Sequence, residues 1–135
     1  MQVWLVPPDM VSGVWLAAIS WLRPALDRSS GDHTAATAFR CTVDGEYQLW
    51  LIHEAGAVKA AGLTMIAQYP TGQRWLELMF AGGQESHLWG DQGLAAMESF
   101  AAANGCKGVR IYGRRGWLRR LSGLTEAATI FEKVT

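Results

Sequence analysis

The sequence predicts an α/β domain: a central mixed β-sheet flanked by helices. Three observations carry this. Three strand-like runs in the middle of the chain are joined only by turn signals, which predicts an antiparallel meander. A long helical stretch then separates the third run from another short apolar run, and a helical crossover favours a parallel neighbour. Residues at helical spacing also follow the first strand, so helices are available for both faces of the sheet.

The elements follow in order. Gln2 to Val6 is short and alternating, and Pro7-Pro8 ends it, so it reads as the first strand. Asp9 stands where it could cap a helix. Val11, Val14, Trp15, Ala18, Ile19, Leu22, Ala25 and Leu26 then form one apolar stripe. Pro24 is expected to kink or end that helix near Leu22, because it lacks an N–H and crowds the preceding turn. Ser29-Ser30-Gly31-Asp32 is a turn. His33 to Val43 reads as a shorter helix with Ala36, Phe39 and Cys41 or Val43 inward.

Asp44-Gly45 opens the meander. Its strands are Tyr47 to His53, Val58 to Tyr69, and Arg74 to Phe80. Ala55-Gly56 and Pro70-Thr71-Gly72 are the turns between them. In the third strand, Trp75, Glu77 and Met79 alternate with Leu76, Leu78 and Phe80. Apolar residues on both faces predict a central strand covered on both sides. Gly82-Gly83 is expected to break it. Ser86 then caps a helix from Leu88 to Ala103, with Leu94, Met97 and Ala101 inward, and Asn104-Gly105 stops it. Gly108 to Tyr112 is a strand, Gly116 to Leu121 a short helix and Ala127 to Val134 a last strand.

Composition limits the function classes. The chain has 135 residues, enough for one domain (1–135) with a single core. Half the residues are hydrophobic and 18% are charged, so the chain is globular. Twelve basic residues balance twelve acidic ones, which argues against general binding to nucleic acid or a membrane surface. Zero net charge gives little protection against self-association, and a homodimer is one expectation. Cys41 and Cys106 have no CxxC context and read as reduced thiols. No apolar run approaches a membrane span, and no basic region precedes the first apolar residues, so a cytoplasmic location is expected. His53, Glu54 and His87 lack metal-ligand spacing on one element, and no metal is expected.

One stretch is more specific: Ile111-Tyr112-Gly113-Arg114-Arg115-Gly116-Trp117-Leu118-Arg119-Arg120-Leu121. Together with Trp21-Leu22, Pro24-Ala25-Leu26 and the helix end Ala102-Ala103-Asn104-Gly105-Cys106, it resembles the small GNAT-like (acetyltransferase-fold) proteins of tailed bacteriophages. The resemblance covers nearly the whole chain and rests on fold-building motifs. It implies the GNAT fold, acetyl-CoA as acyl donor and an amine as acceptor. It equally admits a catalytically inactive protein, located in the virion or acting on a host protein in the host cytoplasm.

The chemistry such a fold needs selects residues. A coenzyme A pyrophosphate needs backbone N–H groups at a helix N-terminus. The corresponding stretch runs from Ala81 to Gly90, and the resemblance implies Phe80, Gly82, Gly83 and Ser86 as cofactor contacts, with Arg114 and Arg115 on the phosphates. The family pattern Arg/Gln-x-x-Gly-x-Gly/Ala is not reproduced, and the same stretch also reads as an ordinary strand-to-helix turn. Glu77, in mid-strand, is the candidate base, or else a carboxylate paired with an arginine. Leu121 stands where the family has its tyrosine, which leaves Tyr112 as the candidate acid. Arg110, Arg114, Arg115, Arg119 and Arg120 concentrate positive charge, suited to phosphate or to pairing with Glu98, Glu126 or Glu132.

Overall fold

A computed structural model describes residues 1–135. Strands β1 (Gln2–Val6), β2 (Tyr47–Glu54), β3 (Ala57–Gln68), β4 (Arg74–Gly83) and β5 (Val109–Ile111) form one sheet in that spatial order. The first four are antiparallel neighbours, and β5 lies parallel to β4. The helices are α1 (Val11–Asp27), α2 (Ala35–Val43), α3 (Ser86–Ala103) and α4 (Trp117–Arg120). This is the mixed sheet with helices on both faces that the sequence predicts.

Two cores result from the alternation of side chains along the strands. On one face, Leu49, Leu51, Ala61 and Leu63 pack with Ala18, Ile19, Leu22 and Leu26 of α1 and Ala38 of α2. On the other, Trp50, Leu76 and Leu78 pack with Met97 and Ala101 of α3. The Trp50 indole N–H donates to Thr64 Oγ1 at 2.9 Å, and that hydroxyl donates to Gln48 Oε1 at 2.8 Å. A buried polar chain therefore crosses the α3 side.

Several expectations need correction. Asp9 caps nothing: it lies in a single 3-10 turn, Pro8–Met10, and α1 begins at Val11. Pro24 does not end α1, which runs on to Asp27. Leu22 and Leu26, buried on either side of the proline, hold both halves of the helix against one core. In α2 the inward residues are Ala38, Phe39 and Thr42. Ala36 is exposed because the helix starts at a Thr34–Thr37 capping box, which sets its rotation.

Gly82-Gly83 continues β4 and pairs with Ala61 and Ala60. A bulge opposite Leu63/Thr64 shifts the strand's register, so Phe80 joins the α1/α2 core while Leu76 and Leu78 face α3. Ser86 is the first residue of α3, not its cap; Glu85 takes that position with φ 56°. Ala127 to Val134 forms no strand, and Ile130, Phe131 and Val134 are exposed. Its alternating pattern meets no partner edge, and a strand cannot stand alone.

Candidate functional site

The β4–β5 junction positions the site. The last pairing between these strands is Leu78 with Ile111, and β4 continues through Met79–Gly83 paired with β3 only. The sheet is therefore open from that point on.

On the face opposite α3, five side chains meet beside the opening. Glu77 lies between Leu76 and Leu78, so alternation turns it away from α3. It is 6% exposed. The Tyr69 hydroxyl donates to Glu77 Oε2 at 2.7 Å. Arg110 Nη1 stands 3.8 Å from the same oxygen. Both of these contacts go to Oε2, and the Tyr112 hydroxyl is the other phenol close to the carboxylate. The Arg110 guanidinium lies 4.0 Å from the Trp75 ring centre and 5.4 Å from that of Tyr69, within cation–π range. Tyr112, just past β5, completes the group. Burial, then the negative charge of Glu77, then Tyr69, push its phenol up to about 12. Tyr112 therefore keeps its proton at neutral pH.

Both sequence-selected catalytic candidates, Glu77 and Tyr112, thus fall in one cluster. The partner of Glu77 is Arg110, across the parallel pair, and not its strand neighbour Arg74, which bonds Asn104 O and Gln68. Tyr69 and Trp75 were not selected from sequence. The register of the β3–β4 turn was the available signal: Met65, Ala67 and Tyr69 share the parity of Glu77.

The opposite side of the opening belongs to α3 and α4. In the first turn of α3, Leu88 N–H donates to Glu85 O at 2.9 Å, and the N–H groups of Ser86 and His87 have no helical acceptor. Ser86 is buried there, and its hydroxyl accepts a hydrogen bond from Arg120 Nη1. The Ser122 N–H donates to Asp91 Oδ1 at 3.0 Å. Leu121 is buried against Gly90, where a Cβ would stand 2.8 Å from Leu121 Cδ2. Trp117 and Leu121 help enclose a small apolar cavity of about 40 Å³, with Leu78, Ala81, Ile111 and Gly90 among its walls.

The remaining sequence-selected residues are dispersed. The Phe80 ring packs edge-on against His33 in the α1/α2 core, 4.9 Å between centres. Gly82 carries no side chain because a Cβ would overlap the Trp21 carbonyl. At Gly83 a Cβ would stand 2.8 Å from Lys59 O. Close backbone packing thus accounts for both glycines. Arg114 is exposed, and Arg115 pairs with Glu126 at 3.2 Å. The cation at the start of α3 is Arg120.

No family model matches the chain, and no curated protein matches it by sequence. Solved structures do match its fold. One is an aminoglycoside acetyltransferase from an uncultured soil metagenomic sample, in complex with sisomicin (TM-score 0.70, 10% identity, 99% of this chain and 95% of that one). Another is glucosamine-6-phosphate N-acetyltransferase from Arabidopsis thaliana (TM-score 0.66, 13% identity, 98% and 97%). A third is a predicted acetyltransferase with acetyl-CoA from Clostridium acetobutylicum (TM-score 0.67, 9% identity, 98% and 95%). The chain has the GNAT acetyltransferase fold.

Proposed function

We propose that the chain is a GNAT-type N-acyltransferase that moves an acyl group from a coenzyme A thioester to an amine. The observation that carries this reading is the placement of a buried, tethered carboxylate, Glu77, beside the opening between β4 and β5. The fold neighbours, which include aminoglycoside and amino-sugar acetyltransferases, support the same reaction class.

The residues fit the anionic end of coenzyme A at the start of α3. The Ser86 and His87 N–H groups, the Ser86 hydroxyl and the Arg120 guanidinium would donate to it, with the Glu85 carboxylate at the helix cap opposing them. Arg114 and Arg115 lie on the same connection and would add charge. Phe80, Gly82 and Gly83 would contribute backbone, since their side-chain positions are taken up by packing. Bound there, the cofactor would supply an activated acyl group.

The chain's own part is proton handling and orientation. Tyr69 and Arg110 occupy Oε2 of Glu77, which leaves Oε1 to accept the proton the acceptor amine gives up. Tyr112 retains its phenolic proton and can donate a hydrogen bond to the departing thiolate. Trp75, Tyr69 and Tyr112 give the acceptor an aromatic, partly shielded approach.

The test is acetyl-CoA binding followed by turnover. Acetyl-CoA at about a hundredfold over its Kd stabilises the fold by about 2.7 kcal/mol, a rise of several degrees in melting temperature. With sisomicin or glucosamine 6-phosphate as acceptor, thiol release is expected, and Glu77→Gln is expected to lower kcat by about 100-fold or more. No stabilisation at millimolar acetyl-CoA would count against the proposal.

A second reading has one observation in its favour. Leu121, in place of a phenol, packs on Gly90 and fills the space beside α3. A catalytically inactive GNAT-like protein of phage origin, in the virion or binding a host protein in its cytoplasm, would tolerate that. No helix of the chain is long and apolar enough to cross a membrane. A homodimer belongs to either reading; exposed Leu16 and Phe131 supply apolar surface, and light scattering at twice 14.8 kDa would support it.

A further inference from the structure

We infer that the segment from Gly113 to Gly123 is a lid. In the arrangement seen here, α4 covers the α3 face of the β4–β5 opening, and it must lift to admit a coenzyme A thioester. The inference rests on the acyltransferase reading and concerns how the same site is reached.

Four features support it. First, the segment stands in the way. Leu121 and Trp117 form part of the wall of the apolar cavity, and its volume of about 40 Å³ leaves no room for an extended thioester arm. Second, the attachment is slight. Leu121 is the only buried residue from Gly113 to Gly123, while Trp117 rests half-buried beside Trp89 with ring centres 6.5 Å apart. Two polar contacts tie the segment to α3: Arg120 to Ser86, and Ser122 to Asp91. A helix of four residues has little stability of its own. Third, the segment is bounded by flexible points. Gly113 and Gly116 precede the helix, and Gly123 follows it with φ 79°.

Fourth, the closed contact is electrostatically incomplete. The start of α3 carries the positive end of the helix dipole, and the closed lid brings a guanidinium to it. A phosphate between the two would be attracted by both. The anionic end of the ligand therefore favours a rearranged segment, and its apolar arm replaces Leu121 against Gly90 and Ile111. Differential affinity of this kind shifts a closed population toward an open one.

The test locks the lid. Ser122 Oγ and Asp91 Oδ2 lie 3.4 Å apart, so the double variant Asp91→Cys/Ser122→Cys sets two thiols as neighbours. Calorimetry then follows acetyl-CoA binding to wild type and to the variant, oxidised and reduced, with the bridge verified by mass spectrometry against Cys41 and Cys106. Wild type and the reduced variant are expected to bind, and oxidation is expected to weaken binding by at least tenfold. Equal binding by both forms of the variant would overturn the lid and leave the acyltransferase reading standing. No binding by wild type would overturn both. If wild type binds and the reduced variant does not, hydrogen exchange on wild type decides. Faster amide exchange in residues 113–123 with acetyl-CoA supports the lid, and unchanged or slower exchange rejects it.

Discussion

The Tyr69 hydroxyl, at the end of β3, donates to Glu77 Oε2 in the middle of β4 at 2.7 Å. This bond spans the turn between two neighbouring strands and fixes the orientation of a carboxylate that is 6% exposed. A hydrogen bond to a charged acceptor contributes more than a neutral one. Tyr69→Phe is expected to lower stability by about 1 to 2 kcal/mol at neutral pH, the exposed phenol edge keeping the loss at the low end. Urea denaturation measures it. An unchanged midpoint would mean that water replaces the tyrosine at no cost.

Tyr112 gives a pH signature. In the folded state its phenol is pushed up to about 12, above the ordinary tyrosine value of 10.0. A raised pKa favours the protonated form in the folded state, so this contribution to stability is complete below pH 10 and is lost as pH rises toward 12. Tyr112→Phe is expected to flatten the fall in stability across that window. Burial and Cys41 also raise the Tyr47 phenol, so tyrosinate absorbance should show two late-titrating phenols, of which the Tyr112 one disappears in the same variant. Glu77→Gln should make that phenol titrate earlier, since it removes the negative charge beside it.

Thr64 is fully buried and both accepts from Trp50 and donates to Gln48. Thr64→Val keeps the shape and removes the hydroxyl. The Trp50 indole N–H would then be buried without an acceptor, at a cost of about 1 to 3 kcal/mol. Thermal denaturation checks this, and the near-ultraviolet circular dichroism of the tryptophans should change with it.

Two glycines make a contrasting pair. A Cβ at Gly82 would overlap the Trp21 carbonyl, whereas one at Gly13, inside α1, would meet nothing within 4 Å. Gly82→Ala is expected to cost about 3 kcal/mol or more through overpacking. Gly13→Ala is expected to stabilise by about 0.5 to 1 kcal/mol, because alanine is the better helix former. Urea midpoints moving in opposite directions would verify both.

Periodicity and turn chemistry located the strands, because both are local properties. Tyr47 to His53 and the Ala55-Gly56 turn are readable residue by residue. The crossover rule supplied the parallel pairing of β5. What could not be read depends on partners distant in sequence. Nothing near Pro24 says that Leu22 and Leu26 will carry the helix through it. Nothing near Gly82 announces the Trp21 carbonyl. The site divides in the same way. Glu77 and Tyr112 were visible as residue types in suitable elements. Tyr69 and Arg110 acquire their roles only from register across two strand pairs, and Arg120 reaches Ser86 over an interval of 34 residues. The expected strand at Ala127 to Val134 shows the converse: a good local pattern without a neighbour stays unpaired.

The bulge in β4 decouples the two ends of that strand. Before it, odd-numbered residues such as Glu77 face away from α3; after it, even-numbered Phe80 takes that side. A one-residue deletion at Met79 would remove the extra residue and leave a regular ladder, with Phe80, Ala81 and Glu77 all keeping their faces. The strand thus behaves as two modules on a single backbone. Substitutions can retune the carboxylate end for a different acceptor without redrawing the packing that holds α1 at Gly82, and the reverse is equally true.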